Sequence, residues 1–114
     1  MTYAGEQRIL DADSHVMELA DFLDPHIDDE FRSQLRRKGM DALRPVLDDA
    51  VKKATERRDD AERAAAAEER LLQDKGWSAI GAFDQAERTR ALDLFGFDGQ
   101  LVFATFATSM FSGR

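Results

Sequence analysis

Two short apolar runs stand near opposite ends of this 114-residue chain, and everything between them reads as helix and connector. The first, Arg8 to His15, leads through Ile9 and Leu10 to an acidic end. The second, Gly99 to Phe106, carries Leu101, Val102, Phe103 and Phe106. Two strands separated by helices pair in parallel, joined by a crossover. The second run is apolar enough to suit a sheet buried on both faces. The expected class is therefore α/β: predominantly helical, with about two short parallel strands.

Between the runs, Glu18 to Leu23 reads as a helical turn that stops before Pro25, because proline disfavours helical geometry in Asp24. Ile27 to Arg37 reads as a helix. Asp28, Asp29 and Glu30 crowd its first turn and Arg36, Arg37 and Lys38 its last, as the helix dipole favours, with Gly39 as its stop. The segment 41–73 reads as one long helix, capped by Asp41, with Pro45 tolerated in its first turn. Leu43, Val46, Leu47, Ala50, Val51, Ala54, Ala61, Ala64, Ala65, Leu71 and Leu72 form one stripe at three- and four-residue steps. Between Ala54 and Leu71 that stripe is alanine alone, so the helix packs weakly or lies close against a partner. Its other faces are charged, with Asp59, Asp60 and Glu62 set against Arg57, Arg58 and Arg63. Trp77 to Ala82 reads as a connector. Asp84 caps a helix that runs through Phe95 and ends at Gly96. Trp77, Phe83, Phe95 and Phe97 read as core.

The chemistry concentrates in Asp11-Ala-Asp13-Ser-His15. On a regular strand, alternate residues share a face, so Asp11, Asp13 and His15 would project together. A carboxylate and an imidazole two residues apart can both reach one divalent ion at about 2 Å. The alternative is a strand-to-helix turn, in which Asp13 or Ser14 caps the next helix and His15 is a partly buried hydrogen-bonding residue. Asp11 either bonds within such a site or ends the strand. Glu18 either orients a ligand from behind or is a solvated acid of a first turn. His26, after Pro25, reads as a surface residue, and Arg88 as a partner of Asp84 four positions earlier. No phosphate loop, nucleophile elbow or zinc-finger spacing is present, so no catalytic residue is assigned.

The run Arg8-Ile-Leu-Asp-Ala-Asp-Ser-His-Val-Met-Glu18 resembles the start of the metal-dependent amidohydrolase superfamily, nearest its amidohydrolase-2 branch of hydrolases and non-oxidative decarboxylases. Glu87 to Phe103 is similar to that family's helix leading into the second strand. The resemblance implies a TIM-barrel origin in which Asp13 and His15 are the first two metal ligands, with Glu18 and Asp11 as supporting candidates. The implied ion is divalent, zinc or alternatively manganese. The implied substrate is a small amide, ester, lactone or aromatic carboxylate. A complete (β/α)₈ barrel needs roughly 250 residues. The expectation is therefore a single incomplete domain: strand and metal motif at 8–15, helical insertion at 41–73, helix plus second strand at 84–106. Such a fragment would be inactive alone. The competing expectation is a non-catalytic helical module for self-association, since a lone pair of strands exposes apolar faces and unpaired edges. On either view a homo-oligomer is expected.

With 23 acidic against 16 basic residues the net charge is −7, which argues against nucleic acid as a partner. There are no cysteines, so thiolate metal sites and disulfides are excluded. No apolar run is long enough to span a membrane and the N-terminus has no signal-peptide pattern, so a cytoplasmic protein with no membrane partner is the expectation.

Overall fold

Residues Leu10–Val16 form strand β1 and Gly99–Ala104 form strand β2, and the two pair in parallel as a two-stranded open sheet. The computed structural model describes the backbone of residues 2–34 and 39–111 and the side chains through 109. Leu10 pairs with Gly99, Asp11 with Gln100, Ser14 with Val102, and His15 with Phe103. Three positions of β1 therefore advance against two of β2 between Asp11 and Ser14. That extra residue is a bulge.

The helices are α1 (Asp29–Arg32), α2 (Arg44–Asp59), α3 (Ala61–Glu69), α4 (Gln85–Phe95) and α5 (Ala107–Phe111). Helix α4 forms as its sequence implies. The Asp84 side chain accepts from the Glu87 amide, and Gly96, at φ 74°, closes the C-terminus in the left-handed conformation that glycine tolerates best. Helix α1 is shorter than the expected helix over 27–37: it begins at Asp29, with Asp28 at its N-cap, and gives way to a turn at Ser33 and Gln34, while Arg36, Arg37 and Lys38 lie outside the described residues. Pro25 does not stop a helix. It sits in the first turn of a 3₁₀ segment, Asp24–His26, where a missing N–H costs nothing.

The single helix expected over 41–73 is two helices. Asp60 leaves helical geometry (φ −136°, ψ 110°), and its carboxylate accepts from the amides of Glu62 and Arg63. A short acidic side chain that bonds the next turn's amides offers the backbone a cap in place of continuation. Asp41 does not cap α2 either. It lies in a 3₁₀ turn, Asp41–Leu43, while Pro45 takes its place in the first turn of α2.

The charged helix folds back onto this chain's own α4. Arg57 grips Glu87 with two bonds (2.6 and 2.9 Å), Arg58 meets Asp84 at 2.8 Å, and Arg90 meets Glu68 through two bonds of 2.7 Å. The expected pairing of Arg57 and Arg58 with acids of their own helix gives way to these longer-range partners. Of these three arginines it is Arg63 that pairs locally, with Glu56 and Asp60. Ala50 and Ala54 are buried, as a closely approached small-residue face should be, whereas Val46, Val51 and Leu72 of the stripe stay exposed. Met40 and Leu47 are buried against Leu19, Phe22, Leu23, Leu43, Trp77 and Phe106. Trp77 stacks on Phe106 at 5.3 Å, and Phe95 stacks on Phe97 at 5.0 Å with Tyr3 edge-on to both. Of the expected aromatic core, Trp77 thus stacks in one group and Phe95 and Phe97 in another, while Phe83 is half-buried.

Strand β2 is not buried on both faces. Leu101 is 58% exposed and Val102 and Phe103 are each 45% exposed, as is Leu10 of β1 at 68%. A two-stranded sheet has no neighbouring strand to cover its edges and only one helix-covered face. Among the described residues, no helix is long and apolar enough to cross a membrane.

Candidate functional site

The bulge decides where the acidic strand end points. Regular alternation would place Asp11, Asp13 and His15 together. With one residue inserted, Asp11 pairs across to Gln100 and Ser14 to Val102, so Asp11 and Ser14 share the face of the even-numbered β2 residues. Their contact confirms this: Ser14 Oγ donates to Asp11 Oδ2 at 2.5 Å. The expectation that all three residues line one face is therefore corrected. Asp11 goes one way, and Asp13 and His15 go the other.

Helix α4 reaches the Asp11 face through Arg88. Arg88 Nε donates to Gln100 Oε1 at 3.1 Å, and Gln100 Nε2 donates to Asp11 Oδ2 at 3.3 Å. Arg88 Nη1 also donates to the carbonyls of His15 (3.1 Å) and Gly81 (2.9 Å). Gly81 sits at φ +74°, and a Cβ there would lie 2.7 Å from the Arg88 Cα, so only glycine lets the connector come this close. Arg88 does not pair with Asp84, whose carboxylate is taken by the Glu87 amide and Arg58. Burial pushes the Arg88 guanidinium below its ordinary pKa, opposed by the charge of Asp11. The Asp11 carboxyl is held below the usual carboxylate range, first by the Ser14 hydroxyl and then by the Asp13 amide, both of which bond to its charged form.

On the opposite, uncovered face, Asp13 Oδ1 lies 3.5 Å from His15 Nε2. The Asp13 side chain is 93% exposed and that of His15 50% exposed. The Phe103 ring stands 5.9 Å from the imidazole and forms an apolar wall beside it. Two ligands at about 2.0–2.1 Å from one tetrahedral zinc ion stand about 3.3 Å apart. The Asp13–His15 separation matches two corners of such a site. Among the described residues, no group of three or more His, Asp or Glu side chains that could hold a metal ion converges. His26 is exposed at the end of the 3₁₀ turn, as expected of a surface residue.

Glu18 is neither solvated nor beside the Asp13–His15 pair. It is buried, and its carboxylate accepts from the amides of Thr105 (3.0 Å), Phe106 (2.9 Å) and Ala107 (3.3 Å) at the start of α5. Its own carbonyl accepts from Trp77 Nε1 at 3.3 Å. Thr105 Oγ1 donates to the Val16 carbonyl at 2.7 Å, so the two strand ends are tied together by both residues. Sequence reasoning missed Gln100 and gave Ser14 and Arg88 different partners from those they have. The available signal was a glutamine inside an otherwise apolar strand, which needed a partner on whichever face it met.

Comparison with known proteins finds no family, no curated protein and no solved structure that matches the chain.

Proposed function

We propose that this chain carries the opening strands of an amidohydrolase-type metal barrel, with Asp13 and His15 as two ligands of a divalent ion, zinc or manganese. The observation that carries the reading is their 3.5 Å approach on the sheet face turned away from α4. In a (β/α)₈ barrel the helices lie outside, so the face opposite a packed helix turns inward. Leu10, Leu101 and Phe103 share that face with His15, and all three are exposed. When bound, such an ion lowers the pKa of a water or polarises a substrate group, for hydrolysis or decarboxylation of a small amide, ester, lactone or aromatic carboxylate. The two donors among the described residues are fewer than the three or four that a zinc site uses, so on this reading further ligands come from elsewhere. The test is a zinc titration followed by NMR of the histidine rings. Selective perturbation of His15, abolished when Asp13→Ala and His15→Ala are combined, supports the reading. An unperturbed His15 at millimolar zinc, or equal binding by the double variant, overturns it.

The exposed Leu10, Leu101, Val102 and Phe103 favour a second reading, a non-catalytic module that self-associates through its sheet. Light scattering at micromolar concentration should then give a dimer or larger species, and a sharply monomeric mass would count against it.

A further inference from the structure

The polar network behind the sheet has no part in the ion-binding reading as stated, yet it fixes the backbone that the reading depends on. Asp11 Oδ1 accepts from the Asp13 amide at 3.0 Å, and Asp11 Oδ2 accepts from Ser14 Oγ and Gln100 Nε2. Arg88 in turn holds Gln100 and the His15 carbonyl. These bonds straddle the extra residue of β1. Asp13 and Ser14 are both tied to the one Asp11 carboxylate, and the strand beyond them is tied to Arg88 of α4 through the His15 carbonyl. Without the bulge, Asp11 would return to the face of Asp13 and His15, and the register that sets His15 opposite Phe103 would slip by one. Bulges recur beside functional sites because they re-aim side chains.

We infer that Asp11, with Gln100 and Arg88, is a positioning network that holds the β1 bulge and thereby brings Asp13 and His15 within reach of one ion. The inference rests on the metal reading above and names the residues that set its geometry. It assigns Asp11 no contact with the ion.

The experiment compares zinc affinity in the wild-type chain, Asp11→Leu, Asp11→Asn, Gln100→Leu and the combined Asp13→Ala/His15→Ala variant. The chemical shift of the Asp13 amide without metal reports the bulge directly. Asp11→Leu and Gln100→Leu should each weaken zinc binding by about 10- to 100-fold, the loss typical when groups that orient a ligand are removed. Both should move the Asp13 amide resonance. Asp11→Asn keeps an oxygen for that amide and should recover most of the lost affinity. If Asp11→Leu does not fold, Gln100→Leu decides alone. Wild-type affinity in Gln100→Leu or a folded Asp11→Leu, while the double ligand variant has lost zinc, overturns the positioning role and leaves the metal reading standing. Zinc binding that survives in the double ligand variant, or is absent from the wild type, overturns both.

Discussion

Replacing Glu18 by leucine should release the end of β2 from the segment that follows β1. The magnitude follows from the geometry. The Thr105 and Phe106 amides donate to the Glu18 carboxylate at 3.0 and 2.9 Å, and the Ala107 amide donates at 3.3 Å. Hydrogen bonds to a charged group contribute roughly 1.5–3 kcal/mol each. The two short bonds therefore set a range of about 3–6 kcal/mol. Thr105 is exposed, so water takes over its amide in the variant and the lower end, about 3 kcal/mol, is expected. With a urea dependence of about 1.5 kcal/mol per molar, the unfolding midpoint should fall by about 2 M. Glu18→Gln keeps one oxygen and loses the charge, and should fall about half as far. Hydrogen exchange at the Phe106 and Ala107 amides should accelerate in both variants. A leucine variant with a midpoint within about 0.3 M of wild type and unchanged exchange at those amides would refute the claim that Glu18 anchors α5.

Two further outcomes follow from the helix pairings. Arg57→Ala leaves Glu87, whose side chain is only 19% exposed, without its charge partner but still accepting from the Gly81 amide at 3.3 Å, and should lower the unfolding free energy by about 3 kcal/mol in thermal or urea denaturation, at the lower end for breaking a buried pair; a loss below about 1 kcal/mol would place the pair among weak surface contacts. The Asp84 carboxyl is held below the usual carboxylate range by the Glu87 amide and also by Arg58. Its folded pKa lies below the unfolded value of about 3.9, so its stabilisation is complete above that value and is lost as pH falls through the folded pKa. Stability should therefore decline below about pH 4, and less steeply in Asp84→Asn; equal slopes in the two proteins would refute this assignment.

The candidate site was legible in the sequence only as far as its residue types. Asp13 and His15 were found by spacing, and the structure does bring them together. The reason given by spacing, an unbroken alternation, is not the reason they meet. Asp11 carries the same chemistry at the same two-residue step, yet it bonds Ser14 and Gln100 on the other face. Nothing in the five residues themselves says which acid will turn away, because that depends on what lies across the strand pair. Glu18 was legible as a residue of interest, but its three amide partners are nearly ninety positions away.

What the sequence determined alone is whatever closes within a few residues. The Asp84 cap and the Gly96 stop bound α4, and the apolar runs around Leu10 and Leu101 became parallel strands, because propensity, capping and pattern act over one or two turns. Tertiary structure decided the bulge in β1, the reach of Arg88 to the sheet and the return of α2 onto α4. Each of these is a competition between a local partner and a distant one. Arg57 and Arg88 preferred partners on other elements to acids close by in the chain. Such contests are settled by which groups the folded chain brings within about 3 Å, the distance at which a hydrogen bond forms.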